Sequence, residues 1–327
     1  MNQSVERVPV HILTGALGSG KTTLLNDALR AGFGASTAVV VNEFGAIPLD
    51  QLFLQTQSEE AVVLHDGCIC CTLRTDLVET LMALASKKDR MEKPFQRIVV
   101  ETSGLSDPVP ILNTINSEPQ LRARFAIGSV VCTVGAIDAA IVDESVAMRQ
   151  LATADAVVIT KRDLADDQVN ERAEQRCVSI NPIAERIARN GEDLVRYFAR
   201  GGNHRTTNWR SLYRCMRRVG STRLPQVQSE VISGINPVSW SRFAVWLSRL
   251  LFVHGDRILR MKGVLFDATR DTWIAVHGVR RFLYPPVHLE LEDPPPFGAC
   301  LVFITENLSA DAIRRSYNRM LTGTDHA

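Results

Sequence analysis

The sequence predicts an α/β protein: a P-loop NTPase domain with a mostly parallel sheet, then a smaller C-terminal α+β domain. Three observations carry this prediction. Residues Gly15-Ala16-Leu17-Gly18-Ser19-Gly20-Lys21-Thr22 fit the pattern GxxxxGK[ST]. Apolar strand-like runs alternate with helical patterns through residues 1–200, the order that builds a parallel sheet with crossover helices. An arginine-rich linker broken by glycine, residues 201–228, then precedes residues 229–327, where strand-like runs follow one another. At 327 residues the chain exceeds the usual size of one domain, so two are expected.

Val8–Leu13 is an apolar run that reads as a buried strand, and Thr23–Leu29 reads as a helix. The glycine loop thus lies where a strand hands over to a helix, as a phosphate-binding loop requires. Gly15, Gly18 and Gly20 let consecutive backbone N–H groups turn inward around a phosphate, and the helix N-terminus adds partial positive charge. Ser19 and Thr23 belong to the same cradle. Lys21 is expected to reach the β- and γ-phosphates, and the Thr22 hydroxyl to hold Mg²⁺.

Ala38–Val41 is a second strand, running toward Glu43, a carboxylate that faces either the Mg²⁺ and attacking water or only a loop. Ala61–Leu64 is a third, leading into Cys68-Ile69-Cys70-Cys71. Thr72–Ala85 follows with Leu73, Leu77, Leu81 and Leu84 at helical spacing. The cysteines therefore sit at a strand-to-helix junction, where a helix N-terminus favours thiolate. Arg97–Glu101 is the fourth strand. Its terminal acid is placed to orient Mg²⁺ through a water, and Gly104 offers a backbone N–H to the γ-phosphate.

Phe125–Val134 is the fifth strand, and Ala156–Ile159 leads into Thr160-Lys161-Arg162-Asp163. This segment resembles the NKxD motif with threonine in place of asparagine. Asp163 would accept hydrogen bonds from guanine N1–H and the 2-amino group, neither of which adenine offers, while the Lys161 stem packs over the base. Guanine is favoured over adenine.

Composition bounds the rest. Hydrophobic content of 45% and charged content of 22% describe an ordinary globular protein, and a net charge of +1 gives no general case for nucleic acid. The first apolar run is already the strand before the glycine loop, so no signal peptide is expected. Residues 126–142, the longest apolar-looking stretch, contain Asp138 and are no membrane span. Seven cysteines, three of them within four residues, are no disulfide framework and point to a reducing cytoplasm.

Thiolates are soft ligands that select Zn²⁺ or Cu(I) over Mg²⁺. A closed structural zinc site needs four ligands, and Cys132, Cys177, Cys215 and Cys300 stand alone in sequence. Three ligands or fewer suggest an open site whose metal can be passed on; the alternative is a redox or merely buried cluster.

Residues 194–229 carry eight arginines and no acid, with Trp209 and Tyr213 among them. Such a run is either a solvated linker or a single-strand RNA surface. Beyond it, Asn236-Pro237 reads as a helix start, Trp240, Phe243, Leu247, Leu250 and Leu251 form one apolar face, and Gly255 ends the helix. Strand-like runs at 258–266, 272–276 and 299–304 and a helical segment 309–320 complete the second domain.

GALGSGKTT, VNEFG, GCICC, ETSGLSDP and TKRD occur in this order, and together they resemble the CobW-like GTPases, a family of metallochaperones related to the nickel-insertion GTPases of urease and hydrogenase. Residues 243–308 also resemble that family's C-terminal domain. The resemblance implies a slow GTPase in which Lys21, Glu43 and Glu101 are catalytic, with Thr22 and Glu101 (the latter through water) serving Mg²⁺. It implies a transition-metal site at Cys70 and Cys71, joined by Cys68, holding Zn²⁺ foremost and otherwise Co²⁺ or Fe²⁺. The implied partner is a client metalloprotein; a homodimer is left open, and neither membrane nor nucleic acid is expected. The rival reading is a nucleotide-gated regulator of RNA or protein with a structural cysteine cluster.

The sequence departs from that family at four places. Val41 and Ala46 are apolar where some relatives carry an acid, Gly135 replaces an aspartate, Thr160 replaces asparagine, and of a histidine-rich tract only His204 is present.

Overall fold

The structure is a computed structural model, and it describes residues 7–33, 36–42, 61–64, 72–139, 145–188, 190–199, 227–236, 239–289, 295 and 298–322. Glu43, Ala46, Cys68, Cys70, Cys71, the linker at 201–226 with its arginines, His204, Trp209 and Cys215 lie outside the described residues. The chain divides into two compact units, residues 1–174 with 185–203 and residues 175–184 with 204–327.

The first unit is built on a seven-stranded sheet. Its strands are β1 (Val8–Gly15), β2 (Thr37–Asn42), β3 (Ala61–Leu64), β4 (Arg97–Thr102), β5 (Phe125–Gly135), β6 (Ala156–Thr160) and β7 (Glu185–Ile187). They lie in the order β3-β2-β4-β1-β5-β6-β7, and each pairs with its neighbours in parallel. Near-continuous apolar sequence is what a parallel strand covered on both faces needs. Val10, Ile12, Val99, Val100, Val130 and Val131 are accordingly shut away from solvent. Helix α1 (Lys21–Ala28) follows β1, and α2 (Thr72–Lys88) follows β3, burying Leu77, Leu81 and Leu84 as their spacing predicts.

The winding of this sheet fixes where a ligand must bind. From central β1 the chain moves outward to β2 and β3, returns to β4, then crosses to β5 on the other side. Loops leaving β1, β4 and β5 in diverging directions open a crevice at the carboxyl ends of the strands.

The second unit carries an antiparallel sheet of six strands: β8 (Val227–Ile235), β9 (Ile258–Asp267), β10 (Thr272–Val279), β11 (Phe282–Leu283), β12 (Val287–Leu289) and β13 (Ala299–Glu306). Helices α8 (Trp240–His254) and α9 (Ala310–Tyr317) accompany it. Trp246 is at the centre of its core, edge-on to Phe303 and Tyr317 at 6.5 and 5.1 Å between ring centroids, with its indole N–H donated to Ser316 Oγ at 3.1 Å.

One local expectation needs correction. The helix expected from Asn236-Pro237 starts at Trp240 with Ser239 as its cap. Strand β8 runs through Ile235, and the first helical N–H, that of Trp240, is taken by the Asp267 carboxylate at 3.3 Å, a partner remote in sequence. Strand β8 itself lacks a sequence signal. Among the described residues it pairs only with β13, and its Gln228, Ser229, Glu230, Ser233 and Gly234 break any clean alternation.

Candidate nucleotide site

The phosphate loop is held open by three left-handed or extended glycines: Gly15, Gly18 and Gly20 have φ of 143°, 71° and 87°. At Gly15 the close approach also matters, because a Cβ there would lie 2.4 Å from the Thr133 carbonyl oxygen. The loop is tied down from beneath. Ser19 Oγ and Thr133 Oγ1 are 2.6 Å apart, and Ser19 is buried. Lys21 opens α1, and its ammonium donates to the carbonyls of Gly15 and Ala16 at 3.0 and 3.1 Å. The charge is thereby folded over the loop it would serve. Thr23, also in the first turn of α1, is exposed.

Beside it, Thr22 Oγ1 donates to Glu101 Oε1 at 2.5 Å, and Glu101, at the end of β4, is only 3% exposed. Two hard oxygen donors meeting at the end of the phosphate loop form a set that suits Mg²⁺. The turn after β4 touches the loop as well. A Cβ on Gly104 would come within 2.4 Å of the Leu17 backbone nitrogen, so only glycine fits against the loop here. That turn is clamped from behind by Gln150, a fully buried residue of α5 (Ser145–Thr153). Its Nε2 donates to the carbonyls of Gly104 and Ser106 at 3.3 and 2.8 Å.

The other end of the crevice is formed by the loops after β5 and β6. Thr160 Oγ1 donates to the Ser19 carbonyl at 2.6 Å. The threonine that stands in place of asparagine thus bonds directly to the phosphate loop. Lys161 sits at φ 56° and pairs with Asp138 at 2.6 Å. Asp163 lies in a single 3₁₀ turn, Arg162–Leu164, with its side chain exposed at the crevice edge. The N–H of Ala136 donates to the Thr160 carbonyl at 2.9 Å, binding the two loops together.

The structure thus gathers Gly15, Gly18, Ser19, Gly20, Lys21, Thr22, Thr23, Glu101, Gly104, Lys161 and Asp163 at the loops that leave the carboxyl ends of β1, β4 and β6. Glu43, Cys68, Cys70 and Cys71 lie outside the described residues, and among the described residues no group of three metal-ligating side chains occurs. Sequence reading missed Gln150 and Asp138. Gln150 has no motif around it. The signal for Asp138 was its position three residues beyond the glycine that ends β5.

Comparison with known proteins agrees with this geometry. Residues 9–188 match the family described as CobW/HypB/UreG, nucleotide-binding domain, and residues 227–321 match the Cobalamin synthesis protein cobW C-terminal domain. The zinc chaperone YjiA of Escherichia coli is 29% identical over 317 residues, covering 95% of this chain and 98% of YjiA. The zinc-regulated GTPase metalloprotein activator 1 of Schizosaccharomyces pombe is 31% identical over 195 residues, covering 57% of this chain and 46% of that protein. Among solved structures, a Zn(II)-bound triple mutant of the YjiA GTPase aligns with a TM-score of 0.71 at 25% identity, covering 96% of this chain and 99% of that one.

Fold and site together define a P-loop GTPase. The chain belongs to the CobW/HypB/UreG family and carries the CobW C-terminal domain.

Proposed function

We propose that this GTPase is a metallochaperone that binds a transition metal, zinc foremost, at Cys68, Cys70 and Cys71 and hands it to a client metalloprotein when GTP is hydrolysed. The observation that carries the proposal is the register of the sheet. Leu64, the last residue of β3, pairs with Asn42, and Asn42 pairs with Thr102, the neighbour of Glu101. Strand β3 therefore ends at the same carboxyl end of the sheet as β4 with its acid, two strands away, and in sequence the cysteines fall between Leu64 at the end of β3 and Thr72 at the start of α2. The zinc chaperones and zinc-regulated activators among the relatives support the choice of metal. Co²⁺ and Fe²⁺ satisfy the same thiolate chemistry less selectively. An exchangeable thiolate site needs reduced thiols, which supports the reading of a cytoplasmic protein. No helix among the described residues is long and apolar enough to cross a membrane.

In this reading Lys21 and the loop N–H groups hold the phosphates, Thr22 and, through a water, Glu101 would hold Mg²⁺, and Glu43 would serve the attacking water. When bound, Mg²⁺ would supply neutralisation of the negative charge on the phosphates. Asp163 reads guanine, and Lys161 lies over the base. No water-orienting glutamine adjoins the acids in sequence, so hydrolysis without a partner is slow, below about one turnover per second.

Zinc titrations of the Mg-GTP and Mg-GDP forms test the proposal. Affinities differing about tenfold or more, equivalent to ~1.4 kcal/mol, are expected. The difference should vanish in the Cys70→Ser/Cys71→Ser variant while GTP binding persists. Equal zinc affinities in the two nucleotide states would leave a static metal site and no delivery cycle.

A further inference from the structure

The loop after β5 carries a carboxylate that no motif assigns. Asp138 lies one tight turn beyond the strand end, its N–H donated to the Gly135 carbonyl at 3.0 Å. The turn folds the side chain back over residue 135, so a Cβ there would sit 2.3 Å from Asp138 Oδ2. The same Oδ2 accepts from Lys161 Nζ at 2.6 Å. On its other side Lys161 Nζ lies 4.0 Å from where a Cβ of Gly18 would project, at the tip of the phosphate loop. Both partners are about one-quarter exposed.

We propose that Asp138 is a positioning residue of the nucleotide site: its carboxylate holds the Lys161 ammonium between the phosphate loop and the base pocket, and it reaches that place only because residue 135 is glycine. This rests on the reading of Lys161 as the residue that lies over the base. Lysine is long, and its rotamer freedom is entropically costly to fix. A fixed carboxylate at its tip removes that freedom before the nucleotide arrives, so the stem is preorganised as a lid on the base. Thr160 bonded to Ser19 and Ala136 bonded to Thr160 anchor the backbone of the same corner, leaving the Lys161 side chain as the part that needs an external hold. The sequence departure at Gly135 thereby acquires a role. The carboxylate displaced from the strand end is supplied one turn later.

The test uses the full-length protein, with GDP, GTP and ADP affinities by calorimetry and steady-state hydrolysis. Asp138→Ala should weaken GDP and GTP binding about tenfold and raise KM with kcat nearly unchanged, because the lysine serves base binding equally in ground and transition states. Gly135→Ala should reproduce this loss with the carboxylate still in the sequence, since the added methyl takes its place. Moving the acid, in Gly135→Asp/Asp138→Ala, should restore much of the affinity. In a Lys161→Ala background, Asp138→Ala should cost nothing more. Thermal unfolding of each variant separates loss of fold from loss of function. A full Asp138→Ala effect persisting in the Lys161→Ala background, or unchanged affinity in a folded Asp138→Ala protein, overturns the proposal. Failure of the underlying base reading is separately visible: the unmodified protein would then bind ADP as well as GDP.

Discussion

Single residues in this site are constrained by contact as much as by chemistry. Gln150 illustrates it: no charge, no motif, yet its amide holds the two carbonyls that fix the turn bearing Gly104. Replacing it with leucine keeps the volume roughly constant and leaves those part-buried acceptors without their donor. The expected cost is about 1–3 kcal/mol of stability. Hydrolysis should fall further than that loss alone explains, because Gly104 is then free to drift from Leu17. Urea unfolding and phosphate release on the same Gln150→Leu sample check the two parts. Full activity in a destabilised protein would make the clamp purely structural.

At the scale of elements, α8 shows how a helix start is decided by a partner from elsewhere in the chain. Asp267 ends β9, its side chain is almost fully buried, and it accepts N–H donors from both Trp240 and Thr269, at 3.3 and 3.0 Å. Burial pushes its carboxyl up, but the Thr269 and Trp240 N–H groups and the Arg270 side chain together outweigh this. The net position is below the ordinary value of 3.8. A depressed folded pKa stabilises above the unfolded value and ceases to do so as pH falls through the folded one. Asp267→Ala should therefore cost about 1–3 kcal/mol at neutral pH. That penalty should shrink as the pH is lowered below about 3.8. Tryptophan emission is a suitable readout, since Trp240, Trp246 and Trp273 all lie in this unit. A penalty constant from pH 7 to pH 3 would contradict the capping role.

For the whole molecule the relevant quantity is the coupling between metal and nucleotide. Linkage makes it reciprocal: whatever factor separates the zinc affinities of the GTP and GDP forms must separate the GTP/GDP affinity ratios of the zinc-loaded and zinc-free forms. Measuring both arms closes a thermodynamic cycle, and a cycle that fails to close means a second metal site is being titrated. The alternating strand and helix pattern made the parallel sheet legible, because β1, β2, β4, β5 and β6 bury most of their residues and so read as apolar runs, whereas β7, the half-buried Glu185–Ile187, carries no such run. Strand β8 was illegible for the opposite reason: it lies at an edge of its sheet, where half its residues need not be apolar.

The sequence by itself determined the phosphate loop, the acid at the end of β4, the Thr160–Asp163 segment proposed to read the base, and the order in which they occur. Each is a local pattern whose chemistry depends on residues adjacent in the chain, Lys21 and Thr22 being one residue apart. Tertiary structure alone decided what holds these pieces in register: Thr160 on Ser19 across 141 residues, Thr22 on Glu101 across 79, Gln150 on Gly104 across 46. It also decided that Gly135 makes room for Asp138. Such contacts leave no periodicity behind, because a hydrogen bond between distant loops asks for one polar atom at one place and nothing of its neighbours in sequence.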